Sequence, residues 1–178
     1  MDYRIEKTKK SIYNAFIELR SKKPLEKLTV KELCEAAQIN KSTFYTHYKD
    51  VYDLSDQIES EIVSSVINNI ENADIFFKDP NRFTEQLFLG YNSMHTLIAT
   101  VFSGIRSEQL PKKIVEKLKQ ILFTKYPELI NDPEKNIILT YSVYGGYYAY
   151  YKEYETFGIE KTVSTISKIS ESCTELMH

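Results

Sequence analysis

The segment from residue 29 to residue 50 constrains the fold of this chain more than any other, because it contains start signals for two short helices separated by a tight turn. Thr29 followed by Glu32 is a capping-box pattern, so a first helix is predicted to begin near Thr29. Asn40 is a favourable N-cap residue, which predicts a second helix from Lys41. Two short helices joined in this way form the outline of a helix-turn-helix.

The second predicted helix has little apolar surface for its length. Phe44 and Tyr48 are four residues apart and share one face, which we expect to pack on the domain core. The remaining positions carry hydrogen-bonding side chains: Lys41, Ser42, Thr43, Tyr45, Thr46 and His47. A helix of this composition is poorly suited to burial and well suited to contact a polar partner.

The net charge of the chain hides an uneven distribution. The whole sequence has 23 Lys+Arg and 25 Asp+Glu, a formal charge of −2. Residues 1–49 contain 11 Lys+Arg and 6 Asp+Glu, a charge of +5, whereas residues 50–178 contain 12 and 19, a charge of −7. Because clustered Lys and Arg attract phosphate groups, double-stranded DNA is the expected partner of the N-terminal part.

Residues 29–50 resemble the DNA-binding motif of the TetR family of transcriptional regulators. The resemblance rests on a T-F-Y-x-H core in the second predicted helix and on these matches: Thr29, Val30, Ala37, Thr43, Phe44, Tyr45 and His47, with Leu33, Ile39, Asn40 and Tyr48 as close substitutes. Gln38 stands where the family usually has glycine, so we expect it at a positive φ, at a cost of roughly 1–2 kcal/mol. Val51 stands where the family often has lysine, and Lys49 is the candidate to replace that phosphate contact.

The resemblance implies an all-α fold with two domains. Residues 1–49 are expected to form a three-helix helix-turn-helix DNA-binding domain, and residues 50–178 a helical bundle for effector binding and dimerisation. Members of the family form homodimers through their last two helices and commonly bind a small molecule in the bundle, which releases them from DNA. We therefore expect a sequence-specific regulator, on family grounds a repressor, that binds a roughly palindromic operator as a homodimer.

The residues expected at the DNA fall into two groups. Near base edges we expect Lys41, Ser42, Thr43 and Tyr45, because lysine can donate to guanine and the threonine methyl can meet thymine. Near phosphates we expect Thr29, His47, Tyr48 and Lys49. For Tyr48 and His47, packing in the core is the open alternative.

The rest of the sequence predicts one helix after another. Apolar residues at helical spacing, acids placed before prolines, and one glycine mark the boundaries. The predicted helices are residues 3–22, residues 50–72 with Asp50 as cap, one beginning at Asp79-Pro80, one opened by Pro111, residues 133–157 after Asp132, and residues 159–177 after Gly158.

The last two predicted helices carry apolar residues that suit contact with a partner. The final helix has a stripe with the spacing of a helix that packs along another: Ile159, Val163, Ile166, Ile169, Cys173 and Leu176. The helix before it is surrounded by tyrosines: Tyr141, Tyr144, Tyr147, Tyr148, Tyr150, Tyr151 and Tyr154. Gly145 and Gly146 within it cost about 1 kcal/mol each relative to alanine, so close approach of a helix or a ligand is expected there.

A ligand pocket, if the bundle has one, is expected to be lined by aromatic and polar side chains. The candidates are Phe88, Tyr91, Asn92, His95, Phe102, Tyr141, Tyr144 and Tyr148. Tyrosines offer both apolar faces and hydroxyl groups, which suits an aromatic or amphipathic effector. Ordinary packing in the core or in the dimer is the alternative for each of these residues.

Other function classes find little support in the sequence. The three histidines, His47, His95 and His178, are scattered and nothing converges on a catalytic group, so no enzyme activity is expected. Cys34 and Cys173 are far apart, with neither disulfide-framework nor metal-ligand spacing, so no cofactor or metal is expected. No apolar run approaches the length of a membrane span, and a cytoplasmic, soluble protein is expected.

One alternative within DNA binding stays open. A DNA-binding adaptor would link nucleoid DNA to a protein partner without a small-molecule effector. It would show many chromosomal sites, a body without a ligand cavity, and an exposed apolar patch on that body.

Overall fold

The computed structural model describes residues 3–68, 70 and 75–176 of the chain. These residues form α-helices and short 3-10 helices and contain no β-strand, so the all-α prediction is confirmed for them. The α-helices are α1 (Tyr3–Arg20), α2 (Val30–Ala37), α3 (Lys41–His47), α4 (Val51–Ile67), α5 (Ile75–Lys78), α6 (Pro80–Ser93), α7 (His95–Val101), α8 (Gln109–Lys125), α9 (Pro133–Phe157) and α10 (Ile159–Glu175). The 3-10 helices are Leu25–Lys27, Gly104–Arg106 and Pro127–Asn131.

The chain divides into two compact units, and the division differs from the predicted boundary between residues 49 and 50. Unit 1 contains the described residues up to Ile62 together with His95–Ser107. Unit 2 contains Val63–Met94 and the described residues from Glu108 onward. Unit 1 is therefore larger than the predicted DNA-binding domain and is built from two separate stretches of sequence.

The predicted capping signals are confirmed at most helix starts. Thr29 Oγ1 accepts from the backbone N–H of Glu32 at 3.3 Å, and the Glu32 carboxylate accepts from the backbone N–H of Thr29 at 3.1 Å, which completes the capping box. Asp50, Asp79 and Asp132 each accept a backbone N–H from the first turn of α4, α6 and α9. These bonds satisfy donors that a helix start otherwise leaves without partners.

The turn between α2 and α3 has the backbone expected of it. Gln38 lies in the left-handed region with φ 54° and ψ 46°, the one positive φ among the described non-glycine residues. Asn40 precedes α3 with extended backbone, but its side chain makes no capping hydrogen bond. Asn40 thus occupies the predicted N-cap position of α3 but does not form the N-cap hydrogen bond.

Several predicted helix ends differ from the structure. The helix predicted over residues 3–22 ends at Arg20, and the one predicted to reach residue 72 ends at Ile67, with residues 71–72 outside the described part. The helix expected to open at Pro111 begins at Gln109, because a proline is tolerated anywhere in the first turn, where backbone N–H groups have no intrahelical acceptor. The last helix ends at Glu175, and residue 177 lies outside the described part.

Unit 1 contains charged groups in its interior. Arg20 is buried and donates to the carbonyl of Val101 at 3.2 Å and to the Ser103 hydroxyl at 2.8 Å. Glu59 is 0 % exposed and accepts two hydrogen bonds from Arg106, at 2.7 and 2.6 Å. These bonds attach residues 95–107 to α1 and α4 within the unit.

Unit 2 has an aromatic and aliphatic interior. Helix α10 packs against α6 and α9, and α8 packs against α9. Phe88, Tyr150 and Ile166 form a buried cluster, in which the Phe88 and Tyr150 rings lie 4.6 Å apart. The hydroxyl of Tyr150 donates to Asn92 Oδ1 at 2.6 Å, so its one polar group has a partner. Packing of aromatic and aliphatic side chains forms the interior of this unit.

Candidate functional site

Helix α3 is held in unit 1 by two aromatic side chains on one face. Phe44 is 0 % exposed, and Tyr48, directly after the helix, is also buried. Their ring centroids lie 5.6 Å apart. The prediction that this pair faces the core is confirmed, and the opposite side of α3 is left to solvent.

Four side chains of α3 carry hydrogen-bonding groups that have no partner among the described residues. Lys41, Ser42 and Tyr45 are exposed and Thr43 is half-buried. Among the described residues, none of these four side chains makes a hydrogen bond or an ion pair. Lys41 and Tyr45 are one turn apart and share a face. All four candidate base-contacting residues therefore keep their donors and acceptors available for an external partner.

The residues predicted at phosphates have different surroundings. Both donors of Thr29, its hydroxyl and its backbone N–H, are given to the Glu32 carboxylate, so the cap uses the groups that a phosphate contact requires. Tyr48 is buried, which agrees with the alternative that its side chain packs in the core. His47 is half-buried with its ring 6.2 Å from that of Tyr48. The side chain of Lys49 is exposed and is the strongest of the four for a phosphate contact.

The lysines of unit 1 separate into paired and unpaired groups. Lys22, Lys23 and Lys31 form ion pairs with Glu18, Glu32 and Glu35. Within the described part of the chain, these exposed lysines have no ion pair: Lys7, Lys9, Lys10, Lys27, Lys41 and Lys49. The unpaired lysines supply the positive charge that the sequence places in its first 49 residues.

A polar groove beside α3 adds residues that the sequence analysis missed. The groove is open, has a volume of about 480 Å³, and includes Thr43 of α3. Its other lining residues are Arg4, Thr8, Cys34, Glu35, Gln38, Ile39 and Asn40. Gln38 is beside α3 because it lies in the turn that joins α2 to α3, whereas Arg4 carried no sequence signal for this position, because the packing of α1 against α2 brings it there.

Unit 2 contains a mostly apolar cleft. The cleft has a volume of about 40 Å³ and is partly open to solvent. Its lining residues come from α4, α5, α6, α8, α9 and α10: Val66, Phe76, Pro80, Phe83, Thr84, Leu87, Phe88, Tyr91, Ile114, Ser142, Val143, Gly146, Tyr147, Ile166 and Ser170. Burial raises the pKa of the Tyr91 and Tyr147 hydroxyls, so both stay protonated at neutral pH.

The predicted ligand-lining residues are mostly elsewhere. Phe88 and Tyr91 line the cleft. The other six residues do not line this cleft: Asn92 accepts from Tyr150, His95 and Phe102 belong to unit 1, and Tyr141, Tyr144 and Tyr148 lie outside the lining. The tyrosines surround α9, so about half of them point away from any interior, and the sequence did not show which half.

The α9–α10 face, meaning the outward sides of these two helices, exposes large apolar side chains. Tyr141 is 65 % exposed and Leu176 is 67 % exposed. The other exposed members are Ile137, Tyr148, Tyr151, Phe157, Ile159 and Ile169. The predicted α10 stripe is thus only partly buried in the chain, where Ile166 packs inside beside Thr162, Ser167, Ser170 and Thr174.

The two glycines of α9 have different surroundings. A Cβ added at Gly146 would lie 3.2 Å from Ile166 Cγ2, so Gly146 allows α9 and α10 to approach closely. A Cβ added at Gly145 would meet nothing within 4 Å, and Gly145 is exposed. Close approach of another helix within the chain therefore accounts for the glycine at position 146 but not for the one at position 145.

The described residues contain neither a candidate metal site nor a candidate membrane-spanning helix. No group of histidine, cysteine or acidic side chains in this part of the chain could hold a metal ion. None of the helices described combines the length and the hydropathy that crossing a membrane requires. Cys34 and Cys173 are free thiols.

No protein-family model, curated protein or solved structure matches this chain.

Proposed function

We propose that this protein is a sequence-specific DNA-binding transcriptional regulator of the TetR type, a repressor that acts as a homodimer and is released from a palindromic operator by a small molecule. The observation that carries the proposal is the exposed side of α3. Lys41, Ser42, Thr43 and Tyr45 keep their hydrogen-bonding groups available, while Phe44 fixes the helix to unit 1. The resemblance of residues 29–50 to the TetR motif supports the same function.

The charge arrangement around α3 supports DNA as the partner. Unpaired lysines on unit 1 give a sequence-independent attraction to phosphates, and the side chains of α3 can read base edges in a major groove. Lys41 can donate to guanine, and Thr43 offers a methyl group to thymine. Of the residues predicted at phosphates, Lys49 is retained in the proposal, and Tyr48 is assigned to the core.

The α9–α10 face supports a homodimer. Its exposed aromatic and aliphatic side chains recur at helical spacing, as they do where helices of two subunits pack together. Gly145 lies one turn from Tyr141 and among these residues, and a second copy of α9 passing there would give this glycine the close contact that its own chain lacks. A symmetric dimer presents two copies of α3 to a two-fold symmetric DNA site.

The test of DNA recognition compares two double variants of the same composition. Lys41→Ala/Tyr45→Ala removes two exposed residues from α3, and Tyr3→Ala/Lys7→Ala removes an exposed tyrosine and lysine, also one turn apart, from α1. Purified proteins are used to select genomic fragments at two salt concentrations. We expect the parent chain and the α1 variant to enrich the same few palindromes, and the α3 variant to lose that preference while retaining weak, salt-sensitive binding.

The contrary result would be weak enrichment of all sequences by all three proteins. The lysines would then bind phosphate only, and the adaptor function would replace the regulator. The exposed α9–α10 face is the feature that favours an adaptor, because it could hold a different protein.

The test of the homodimer uses Gly145. Gly145→Leu places a large side chain on the α9–α10 face, and Glu153→Leu makes the same addition at another exposed position of α9. Sedimentation velocity is expected to show a dimer for the parent and for Glu153→Leu, and a monomer for Gly145→Leu. A parent chain that is monomeric at all concentrations would remove the homodimer from the proposal and favour a heterologous partner.

A further inference from the structure

Ser142 has a buried hydroxyl group at the cleft in unit 2. Its Oγ is buried, lies on a residue that lines the cleft, and makes no hydrogen bond within the chain. By contrast, the hydroxyls of Thr84 on α6 and Thr140 on α9 donate to the carbonyls of Pro80 and Asn136, four residues earlier, each at 2.8 Å. A buried hydroxyl without a partner costs roughly 1–3 kcal/mol, so Ser142 stands out as a group that a ligand could satisfy.

The rest of the lining determines what kind of molecule could reach Ser142. None of the described lining residues carries a charge, and most are aliphatic or aromatic. A carboxylate or an ammonium group would lose its hydration in this cleft without gaining an ion pair. The protonated hydroxyls of Tyr91 and Tyr147 are at the same cleft and also suit a neutral molecule.

The size of the cleft also limits the ligand. Pockets for small molecules commonly have volumes of about 300–1,000 Å³. The cleft in unit 2 has a volume of only about 40 Å³ and is partly open to solvent, so it holds a small part of such a molecule. A ligand that fits has a small apolar part for the enclosed end, and the remainder extends toward the mouth.

We propose that unit 2 binds an uncharged, largely apolar molecule with one hydroxyl or carbonyl group, and that Ser142 Oγ is the hydrogen-bonding partner of that group. This inference rests on the proposed function in one respect, namely that the molecule bound in the cleft is the small-molecule effector. Binding to the cleft is a property of the chain alone and is measurable without DNA.

The experiment uses four ring compounds of similar size that differ in one group: benzyl alcohol, toluene, benzoate and benzylammonium. Their binding to the full chain is measured by titration calorimetry and by the rise in melting temperature. We expect benzyl alcohol to bind most tightly, toluene more weakly, and the two ions at least tenfold more weakly than benzyl alcohol. Tighter binding of either ion, or no saturable binding of either neutral compound, would overturn the inference.

Two serine variants test the role of Ser142. Ser167 Oγ is also buried without a partner, but Ser167 does not line the cleft, so Ser167→Ala is the matched control for Ser142→Ala. Ser142→Ala is expected to weaken benzyl alcohol binding about five- to tenfold, the equivalent of one hydrogen bond, and to leave toluene binding unchanged. Equal effects of the two variants on benzyl alcohol would overturn the assignment of Ser142.

A second pair of variants tests the location of the site. Leu87 lines the cleft, whereas Leu89 on the same helix is 69 % exposed. Leu87→Trp is expected to block binding of both neutral compounds, and Leu89→Trp to leave it unchanged. The chain has no natural tryptophan, so the fluorescence of each variant also reports whether it is folded. Unchanged binding by a folded Leu87→Trp protein would place the ligand elsewhere and overturn the inference.

A separate measurement distinguishes this inference from the proposed function. Operator fragments from the genomic selection are titrated with benzyl alcohol in the presence of the parent chain. Ser142-dependent binding without release of DNA would support the cleft assignment and contradict the effector part of the proposed function. Specific DNA binding by a chain that binds neither neutral compound would leave the regulator in place and overturn the cleft assignment.

Discussion

The two units of this protein bury polar groups of different kinds. The interior of unit 1 contains ionised side chains, Arg20 and Glu59, with Arg106 reaching Glu59 from a 3-10 helix. The buried polar residues described in unit 2 are hydroxyl residues only: Thr84, Thr162, Ser167, Ser170 and Thr174. Ionic hydrogen bonds require fixed distances and directions, whereas contacts between rings and aliphatic chains tolerate rearrangement. The first property suits the unit that contains α3, and the second suits the unit that contains the apolar cleft.

The largest effect on this comparison is expected from Arg106→Ala. The substitution removes both hydrogen bonds from Arg106 to the fully buried Glu59 and the bond to Asp56 at 3.1 Å. Removing Arg106 leaves the buried Glu59 carboxylate with the hydrogen bond from Ser55 but without the Arg106 guanidinium, so we expect a loss of about 3 kcal/mol in the free energy of unfolding. Urea denaturation of the parent chain and of the variant measures this difference in the free energy of unfolding.

Two controls sharpen this prediction. Arg106→Lys keeps the charge and loses the bidentate hydrogen bonding, so its free energy of unfolding should lie between those of the parent chain and Arg106→Ala. Lys161→Ala removes an exposed charge from unit 2 and should change stability by less than about 0.5 kcal/mol. A loss below about 1 kcal/mol for Arg106→Ala would mean that the pair behaves like a surface ion pair and that the contrast between the units is weaker than described.

The corresponding change in unit 2 is Tyr150→Phe. It removes the 2.6 Å hydrogen bond to Asn92 and keeps the ring that packs on Phe88. We expect a loss of about 1–1.5 kcal/mol, smaller than for Arg106→Ala because the bond joins neutral groups. Tyr141→Phe, at an exposed position, is the control and should have almost no effect on the unfolding of the monomer. A larger loss for Tyr150→Phe than for Arg106→Ala would reverse the comparison.

A stabilising change of smaller size is expected at Gln38. The residue has φ 54°, which glycine adopts without the steric strain of a side chain. Gln38→Gly should raise the free energy of unfolding by about 0.5–1 kcal/mol, whereas Glu35→Gly within α2 should lower it by about 1 kcal/mol. Thermal unfolding of the two variants tests the opposite signs, and destabilisation by Gln38→Gly would show that Gln38 makes a compensating contact.

The smallest effect concerns acid stability and is tested with one carboxylate from each unit. A hydrogen bond from Lys23 holds the pKa of Glu32 below its usual 4.5, and the backbone N–H of Lys135 holds that of Asp132 below its usual 3.8. Because both values are lowered by folding, their contribution is complete at neutral pH and is lost as the pH falls through about 4.5 and then through the lower folded values. Unfolding midpoints between pH 7 and pH 3 should fall less steeply for Glu32→Gln and for Asp132→Asn than for the parent. Curves parallel to the parent would contradict this account.

Local features of the fold were readable from the sequence. The capping box at Thr29, the positive φ at Gln38 and the starts of α6 and α9 depend on residues within four positions of one another. Such signals operate through backbone hydrogen bonds and need no knowledge of tertiary structure. The composition of unit 1 was not readable, because Arg20 meets Val101 and Ser103 across some eighty residues of chain.

The candidate sites show the same limit. The exposed side of α3 was predictable from the four-residue spacing of Phe44 and Tyr48, because this spacing fixes the direction of all the remaining residues of that short helix. The cleft in unit 2 was not predictable from the sequence, because it is assembled from six helices and because α9 carries tyrosines on all sides. Ser142 gave no sequence signal, since a serine between tyrosines reads as an ordinary surface residue until its missing hydrogen bond is seen.

The discontinuity of unit 1 has a consequence for synthesis on the ribosome. Chains fold from the N-terminus as they emerge, at about 5–20 residues per second, and a domain made of one continuous stretch can fold as soon as it has left the exit tunnel. Here α1 and α4 must wait for residues 95–107, which supply the partners of Arg20 and Glu59. The nascent chain therefore carries an incomplete unit 1 for a few seconds while Val63–Met94 is translated. A gene fragment cut after residue 62 would encode the segment that carries α3 without the residues that complete its interior, so a fragment that includes all of unit 1 has to extend through Ser107.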